Sequence, residues 1–161
     1  MQKIIPFLWF NDNAEEAVRF YTGLIKDSKI GAVTRYDEEG AKASGRPQGS
    51  AMTVTFTLAG QQFMALNGGP VFSFSPAVSF MVKCKTQREI DELWEKLSEG
   101  GEQQQCGWLK DKYGLSWQIV PAVLEKMQND PDPRKSQNMM KALMQMKKLD
   151  IAALEKAFTP Q

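Results

Sequence analysis

IIPFLWF at residues 4–10 and AVSFMV at residues 77–82 are two apolar runs, and each leads into the pattern of an amphipathic helix. The first run is followed by Asn13 and Glu16, and the second by Thr86 and Glu89, about 73 positions further on. A short polar residue followed three positions later by glutamate predicts a capping box at the start of each helix. Two strand–cap–helix units at one spacing therefore indicate a duplicated module, and we expect the chemistry to lie between the copies.

The first module, at about 1–70, predicts the order β-α-β-β-β. The apolar run at 4–10 shows no polar alternation, which predicts a strand covered on both faces. The pattern then predicts a helix at 13–25 and strands at 30–36, 50–59 and 61–67. Residues 37–49 form a polar, glycine-containing stretch, which we interpret as a loop that is either a mobile tip or a lid.

The second module, at about 71–121, repeats the beginning of this order. The patterns predict a strand at 77–82, a helix at 87–98, and strands at about 102–110 and 115–120. Asp111 and Gly114 mark the turn between the last two strands. Relative to the first module, the second either lacks one strand or has a strand that is too polar to be recognised.

A helical tail is predicted at about 122–161. The patterns indicate a short helix at 122–128, a second one carrying most of the tail's methionines, and a last one capped by Asp150. We interpret the tail as an amphipathic appendage that packs on the body or on a second subunit. A surface for a partner helix, which methionines would suit, stays open as the alternative.

Composition excludes several classes of function. The chain has 161 residues, 42% of them hydrophobic, and a formal net charge of +1 from 20 basic and 19 acidic residues. This balance predicts no nucleic-acid partner and no membrane partner. With two cysteines, no recognisable secretory leader and no long apolar run, we expect a cytoplasmic protein with reduced thiols.

Histidine is absent from the sequence. The commonest general base and the commonest ligand of transition metals are therefore missing. This excludes a Ser–His–Asp triad, a Cys–His pair and a zinc site built on histidine.

Several stretches together resemble the vicinal-oxygen-chelate superfamily, and in particular its PhnB-like branch, often labelled demethylubiquinone methyltransferase-like. The superfamily includes glyoxalase I, extradiol dioxygenases and the bleomycin- and fosfomycin-resistance proteins. The stretches are IPFLWF (5–10), AEEAVRFY (14–21), RY (35–36), FMALNGG (63–69), DKYGLSWQIVP (111–121), DPDP (130–133) and MQMKKLDI (144–151). The resemblance covers essentially the whole chain.

The resemblance implies a single α+β domain over 1–161. Two paired β-α-β-β-β modules would form a curved mixed sheet around a cavity, followed by C-terminal helices, and the protein would be a homodimer. In the superfamily, a divalent metal is held by histidine and glutamate side chains on the first and last strands of each module.

The positions that would correspond to these metal ligands carry no ionisable side chain. They fall at about Pro6 or Leu8, near Ala65, near Ala77, and at Gln118. A single neutral amide among apolar neighbours is a poor site for a hard cation. We therefore expect no metal and no cofactor.

The methyltransferase label has no support in the residues themselves. A methyl-donor enzyme of the doubly wound kind needs a glycine-rich turn that leads from a strand into a helix. Gly68 and Gly69 are followed by proline and another strand pattern, and no G-x-G-x-x-G occurs in the chain.

Six residues are candidate ligand contacts, each with a structural alternative. They are Leu8, Phe10, Arg35, Asn67, Trp108 and Gln118. The aromatic and aliphatic ones would line a pocket for flat apolar molecules, or belong to the core. Gln118 would hydrogen-bond a ligand or face solvent. Asn67 would form a turn or a polar contact, and Arg35 would bind an anion or lie on the surface.

Three hypotheses follow for the function. The first is binding of a small hydrophobic or aromatic molecule in a metal-free cavity. The second is an enzyme of the same superfamily, or of its methyltransferase-labelled branch, with a non-standard or absent metal. The third is a structural dimer whose tail binds a partner.

Overall fold

The computed structural model describes residues 1–159, so the last two residues of the predicted tail lie outside the described part. Within that part the chain is an α+β protein with two four-stranded mixed sheets and six helices, which confirms the predicted fold class. The contacts divide it into two compact units: Met1–Phe74, and a second unit that begins at Ser75 and includes the tail helices.

Unit one has the predicted order, with one additional helix. Its elements are β1 (Phe7–Phe10), α1 (Ala14–Leu24), β2 (Lys29–Arg35), α2 (Glu38–Ser44), β3 (Ala51–Leu58) and β4 (Gln61–Asn67). The strands lie side by side in the order β1-β4-β3-β2. β1 pairs parallel with β4, and the other pairs are antiparallel.

Helix α1 covers one face of this sheet by packing on β3 and β4. The covered face carries Leu8, Phe10, Ala65 and Asn67, because the paired positions Leu8/Ala65 and Phe10/Asn67 share a face. The opposite face carries Phe7, whose side chain is 54% exposed. The prediction that the first strand is covered on both faces is therefore wrong.

The predicted capping box at Asn13 is also wrong, because the Asn13 side chain makes no capping bond. Instead, Asn67 Oδ1 on β4 accepts a hydrogen bond from the N–H of Ala14 at 2.8 Å. A residue from another strand thus satisfies one of the free N–H groups at the start of α1.

The predicted loop at 37–49 contains helix α2. Asp37 caps its start by accepting from the N–H of Gly40 at 2.7 Å, and Gly45 ends it with φ 73°. Glycine adopts this left-handed conformation without the steric cost that a Cβ would bring. The sequence contains a capping residue and a glycine stop for this helix. The helix was nevertheless not predicted, because it buries no residue and its sequence shows no apolar stripe.

Unit two repeats the sheet of unit one. Its first elements are β5 (Ser79–Cys84), α3 (Gln87–Ser98), β6 (Glu102–Gln103), β7 (Trp108–Lys110) and β8 (Ser116–Pro121). The strand order is β5-β8-β7-β6, with β5 parallel to β8, as β1 is to β4. The predicted single strand at 102–110 is in fact two, since Cys106 and Gly107 turn the chain with φ 60° and 81°.

The second predicted capping box forms at α3, with a shift of one residue. Thr86 Oγ1 accepts from the N–H of Glu89 at 3.2 Å, as expected. The Glu89 carboxylate accepts from the N–H of Lys85 at 2.9 Å, rather than from Thr86 itself.

The turn at Asp111–Gly114 orients β8. Asp111 is 2% exposed, and its Oδ1 accepts from the N–H groups of Tyr113 at 2.8 Å and Leu115 at 3.0 Å. Its Oδ2 accepts from the indole of Trp117 at 2.9 Å. Trp117 and Ile119 consequently face α3 and are buried, while Gln118 between them points to the other face.

The tail contains α4 (Leu124–Gln128), α5 (Pro133–Leu143) and α6 (Ile151–Phe158). These helices share an apolar core with the end of β8, and its buried members are Val120, Leu124, Met127, Met139, Leu143, Leu149 and Leu154. The Asp150 carboxylate caps α6 by accepting from the N–H of Ala153 at 2.9 Å. No helix among residues 1–159 is long and apolar enough to cross a bilayer.

Candidate functional site

The candidate site lies on the free face of the second sheet, which we define as the face opposite α3. Its central row consists of Met81 on β5, Gln118 on β8 and Trp108 on β7. The strand register places Met81 and Trp108 directly beside Gln118 on its two sides. Residues paired in this way share a face, so the row presents a thioether, an amide and an indole side by side.

The tail closes a pocket over this row. The pocket has a volume of about 430 Å³, a size at which proteins bind small molecules. It is lined by Met81, Lys83, Cys106, Trp108, Gln118, Val120, Pro121, Ala122, Leu124, Glu125, Gln128, Met140 and Leu143. Four of the thirteen lining residues, Lys83, Gln118, Glu125 and Gln128, are polar, and the others are apolar. The lining thus suits a mostly apolar molecule that carries a polar group.

Gln118 supplies a hydrogen-bonding group to the pocket. Its Nε2 donates to Ser79 Oγ at 3.0 Å, and this bond holds the side chain against β5. Within residues 1–159 the hydrogen bonds of the structure leave its carbonyl oxygen without a donor. The side chain is half-buried and therefore reachable from the pocket.

An ion pair marks the pocket rim. Lys83 Nζ on β5 donates to Glu125 Oε2 on α4 at 2.6 Å, and both side chains are more than half exposed. The hydrogen bond and positive charge of Lys83 lower the pKa of Glu125. The pair is thus charged at neutral pH, but at this exposure it contributes little to stability.

The two cysteines have different environments and are not bonded to each other. Cys84 is fully buried, and burial, with a smaller contribution from Glu89, raises its pKa to about 12. Cys106 is half-buried and lines the pocket. Cys84 is therefore an unreactive thiol in the core. Cys106 is a thiol at the pocket, where a reagent can be used to probe access.

We expect a thiol-modifying disulfide reagent at pH 8 to react with one cysteine in the folded protein and with two in urea. With a pKa of about 12 against the ordinary 9.0, the thiolate fraction of Cys84 is about a thousandfold smaller than that of an ordinary thiol. The measurement is absorbance of the released reagent over time. Cys106→Ser should remove the fast phase, and a Cys84 that reacts as fast as Cys106 would contradict the assignment.

The structure brings together only two of the six candidate ligand contacts, Trp108 and Gln118. Leu8 and Phe10 lie on the face covered by α1, at 7% and 2% exposure, and Phe10 packs edge-on against Phe74 at 5.1 Å. Arg35 is exposed and donates to the carbonyl of Gly49 at 3.2 Å.

Asn67 has a structural role in unit one. It is 5% exposed, and both ends of its amide are used, Oδ1 by Ala14 and Nδ2 by the carbonyl of Ala51 at 3.1 Å. The hydroxyl of Tyr36 also donates to its backbone carbonyl at 2.6 Å. We therefore leave Asn67, with Leu8, Phe10 and Arg35, out of the site proposed below.

The residues present do not fit the divalent metal that the resemblance implies. In each unit, the first and the last strand along the chain lie side by side: β1 beside β4, and β5 beside β8. This is the arrangement that the implied ligand set requires. Leu8 and Ala65, however, face α1, so the positions on these strands that face away from α1 are Phe7, Trp9, Met64 and Leu66, and in unit two the positions that face away from α3 are Met81, Lys83, Gln118 and Val120. Among residues 1–159 no cluster of three or more His, Cys, Asp or Glu is placed to hold a metal.

Sequence reasoning missed the part of the pocket that the tail supplies. Leu143 is the last residue of α5 and Met140 lies three positions before it. The sequence did indicate their helical apolar stripe. What it did not indicate is that this stripe packs beside β8 rather than on another surface.

The fold is shared with solved structures of other proteins. The fosfomycin-resistance protein FosX from Listeria monocytogenes aligns with a TM-score of 0.51 and 15% identity, covering 80% of this chain and 98% of FosX. Protein PA1353 from Pseudomonas aeruginosa aligns with a TM-score of 0.59 and 20% identity, covering 75% and 98% of the two chains. At these identities the likenesses show a shared fold.

A family model described as 3-demethylubiquinone-9 3-methyltransferase matches residues 2–120. A PhnB protein from Bacillus cereus, which carries the same enzyme name, is 41% identical, with a TM-score of 0.67, and the alignment covers 75% of this chain and all of that one. The chain belongs to this PhnB-like family. A comparison with curated proteins finds no match.

Proposed function

We propose that this PhnB-like protein binds a small hydrophobic or aromatic molecule, without a metal ion, in the pocket on the free face of the second sheet. The observation that carries the proposal is the central row of Met81, Gln118 and Trp108, covered by the tail to give a cavity of about 430 Å³. A mostly apolar lining with a few polar side chains is the chemistry of a site that takes a mostly apolar ligand and orients it by its polar group.

The ligand's polar end follows from Gln118. One N–H of Nε2 is used by Ser79, and we take the carbonyl oxygen, which accepts no hydrogen bond within residues 1–159, as the atom that a ligand would meet. A carbonyl oxygen accepts hydrogen bonds, so the ligand class is one with a donor, such as a hydroxyl or an N–H group, on an apolar body.

The first test is isothermal titration with 4-butylphenol and with its methyl ether. We expect the phenol to bind and the ether, which has no donor, to bind up to about tenfold more weakly, as the loss of one hydrogen bond of about 1 kcal/mol predicts. Gln118→Leu should remove this preference for the phenol.

Gln105→Leu is the matched control, because Gln105 is exposed and does not line the pocket. It should bind both compounds like the wild type. A wild type that binds neither compound, or a Gln118→Leu variant that retains the full preference for the phenol, would contradict the proposal.

Removal of divalent ions tests the metal-free part of the proposal. We expect protein dialysed against a chelator to bind 4-butylphenol with unchanged affinity, because the strand positions that face away from α1 and α3 offer no set of ligands for a metal. Elemental analysis of the same sample should show no stoichiometric ion before dialysis. A bound ion whose removal abolishes binding or a catalytic turnover would favour the enzyme hypothesis.

Methyl transfer is the second candidate, and the enzyme name of the family model and of the Bacillus cereus relative favours it. Each sheet, however, contains a single parallel pair, so the described residues form no doubly wound sheet of the kind that holds a methyl donor at its glycine-rich turn. Transfer of a labelled methyl group from S-adenosylmethionine to a phenol by the purified protein would establish this alternative.

The proposal includes a cytoplasmic homodimer. The cytoplasm suits two free thiols, one of them at the pocket. The homodimer is what the resemblance implies, and light scattering during gel filtration tests it directly, with a monomer mass as the contradicting result.

A further inference from the structure

The match to the family model ends at residue 120, at the end of the second sheet. Six of the pocket's lining residues come after Pro121, in α4, in α5 or just before α4. Leu124, Glu125 and Gln128 belong to α4, and Met140 and Leu143 belong to α5. One wall of the pocket is thus built by a segment outside the region that defines the family.

This wall is fixed to unit two by backbone hydrogen bonds. The N–H groups of Cys106 and Gly107 donate to the carbonyls of Met146 and Lys147, both at 2.8 Å. Cys106 itself lines the pocket, so the segment that follows α5 is tied to the pocket's edge.

Gln87 on α3 makes a second attachment. Its Oε1 accepts from the N–H of Ile151 at 2.8 Å, and its Nε2 donates to the carbonyl of Leu149 at 3.0 Å. Asp91, one turn further along α3, pairs with Lys148 at 2.9 Å. Hydrogen bonds from Gln87 and Lys148 lower the pKa of Asp91, which keeps this attachment charged at neutral pH.

The buried tail residues complete the attachment. Met139, Leu149 and Leu154 are at most 1% exposed and share the core that includes Val120 at the end of β8. Met140, the neighbour of Met139, is half-buried and contacts the pocket. A wall held by a core on one side and open to the pocket on the other has a fixed position, so its side chains limit what the pocket can hold.

Resting on the function proposed above, we infer that α5 determines the ligand specificity of the pocket: Met140 and Leu143 set the length of the apolar part of a ligand whose donor group meets Gln118. The ligand class is accordingly an elongated molecule with a hydroxyl or N–H group at one end and an apolar chain or ring at the other. Methionine suits this position because its unbranched side chain adapts to the end of such a ligand.

The test is titration of a series of 4-alkylphenols, from methyl to hexyl, into the wild type and into two variants of the wall. Affinity should rise about fourfold per added methylene while the chain stays within the pocket, and should stop rising where the chain reaches Met140. Met140→Ala removes the side chain beyond Cβ and should extend the rise to longer chains. Met140→Phe should end it at shorter chains.

Met144→Ala is the matched control, since Met144 follows α5, is 60% exposed and does not line the pocket. It should show the wild-type dependence on chain length. Circular dichroism and thermal melting establish that each variant is folded, and the opposite shifts expected of the two Met140 variants separate a wall effect from a general loss of structure.

The outcomes separate this inference from the proposed function. Opposite shifts in the preferred chain length for the two Met140 variants, with none for Met144→Ala, support it. Binding that depends on Gln118 but shows the same chain-length profile in every variant overturns the inference and leaves the proposed function in place. No binding of any member to the wild type overturns both.

Discussion

Replacing Asp111 by alanine should lower the free energy of unfolding by about 3–5 kcal/mol, the largest loss that we expect from a single substitution in this chain. The Asp111 carboxylate is 2% exposed and accepts hydrogen bonds from Tyr113, Leu115 and Trp117. Alanine would leave these three donors without their acceptor, and two of them belong to the buried residues Leu115 and Trp117. Because Trp117 precedes Gln118, the substitution should also disturb the pocket.

Chemical denaturation measures this loss, and two further variants control it. Asp111→Asn keeps an acceptor for the two backbone N–H groups but turns an amide donor toward the indole, so it should lose about half as much. Asp12→Ala removes an exposed aspartate from the bend before α1 and should cost less than about 0.5 kcal/mol. An Asp111→Ala protein as stable as Asp12→Ala would show that the turn does not orient β8.

Asn67→Ala should lower the stability by about 2–3 kcal/mol, the second largest effect. The substitution removes the cap of α1 and leaves the N–H of Ala14, which is fully buried, without an acceptor. It also removes the donor to the carbonyl of Ala51. A strand residue that caps a helix ties two elements together, so its loss should destabilise both.

Asn13→Ala is the matched control for Asn67. Asn13 occupies the N-cap position, but its side chain makes no capping bond. Its replacement should therefore cost less than about 0.5 kcal/mol. The reverse order of the two losses, measured by thermal or chemical unfolding, would mean that the cap is local, as the sequence alone had predicted.

These two asparagines show where sequence reasoning succeeds and where it fails. The β-α-β-β-β order of the first module, apart from the additional helix α2, and the helix at Gln87–Ser98 are set by local patterns, and these predictions are confirmed. A capping box is also a local pattern, but at α1 the buried Asn67, 53 residues from Ala14, takes the place of the local cap. No rule of local spacing reports a partner at that distance.

The first strand shows a second limit of sequence reasoning: the pattern predicts that the strand exists, but not which of its two faces is buried. Alternation correctly separates Leu8 and Phe10 from Phe7 and Trp9, but both sets are apolar. Only the position of α1 decides which set is buried, and the structure buries Leu8 and Phe10. In β8 the polar Gln118 lies between Trp117 and Ile119, and the sequence left open whether it contacts a ligand or faces solvent. The structure buries Trp117 and Ile119 and leaves Gln118 half-buried.

The pocket itself depends on tertiary structure. Trp108 and Gln118 were predicted as ligand contacts from their residue types, and the structure places them side by side. That Met140 and Leu143 complete the pocket follows from the hydrogen bonds and the core that attach the tail to unit two. Such contacts between distant segments leave no periodic signal in the sequence.

The most direct test of the account is a crystal structure of the protein purified from cells and soaked in 4-butylphenol. We predict electron density for the phenol on the free face of the second sheet, with its hydroxyl at the Gln118 carbonyl oxygen and its chain toward Met140. A phenol bound elsewhere with this pocket empty, or a divalent ion held by protein side chains beside Gln118, would contradict the central claim.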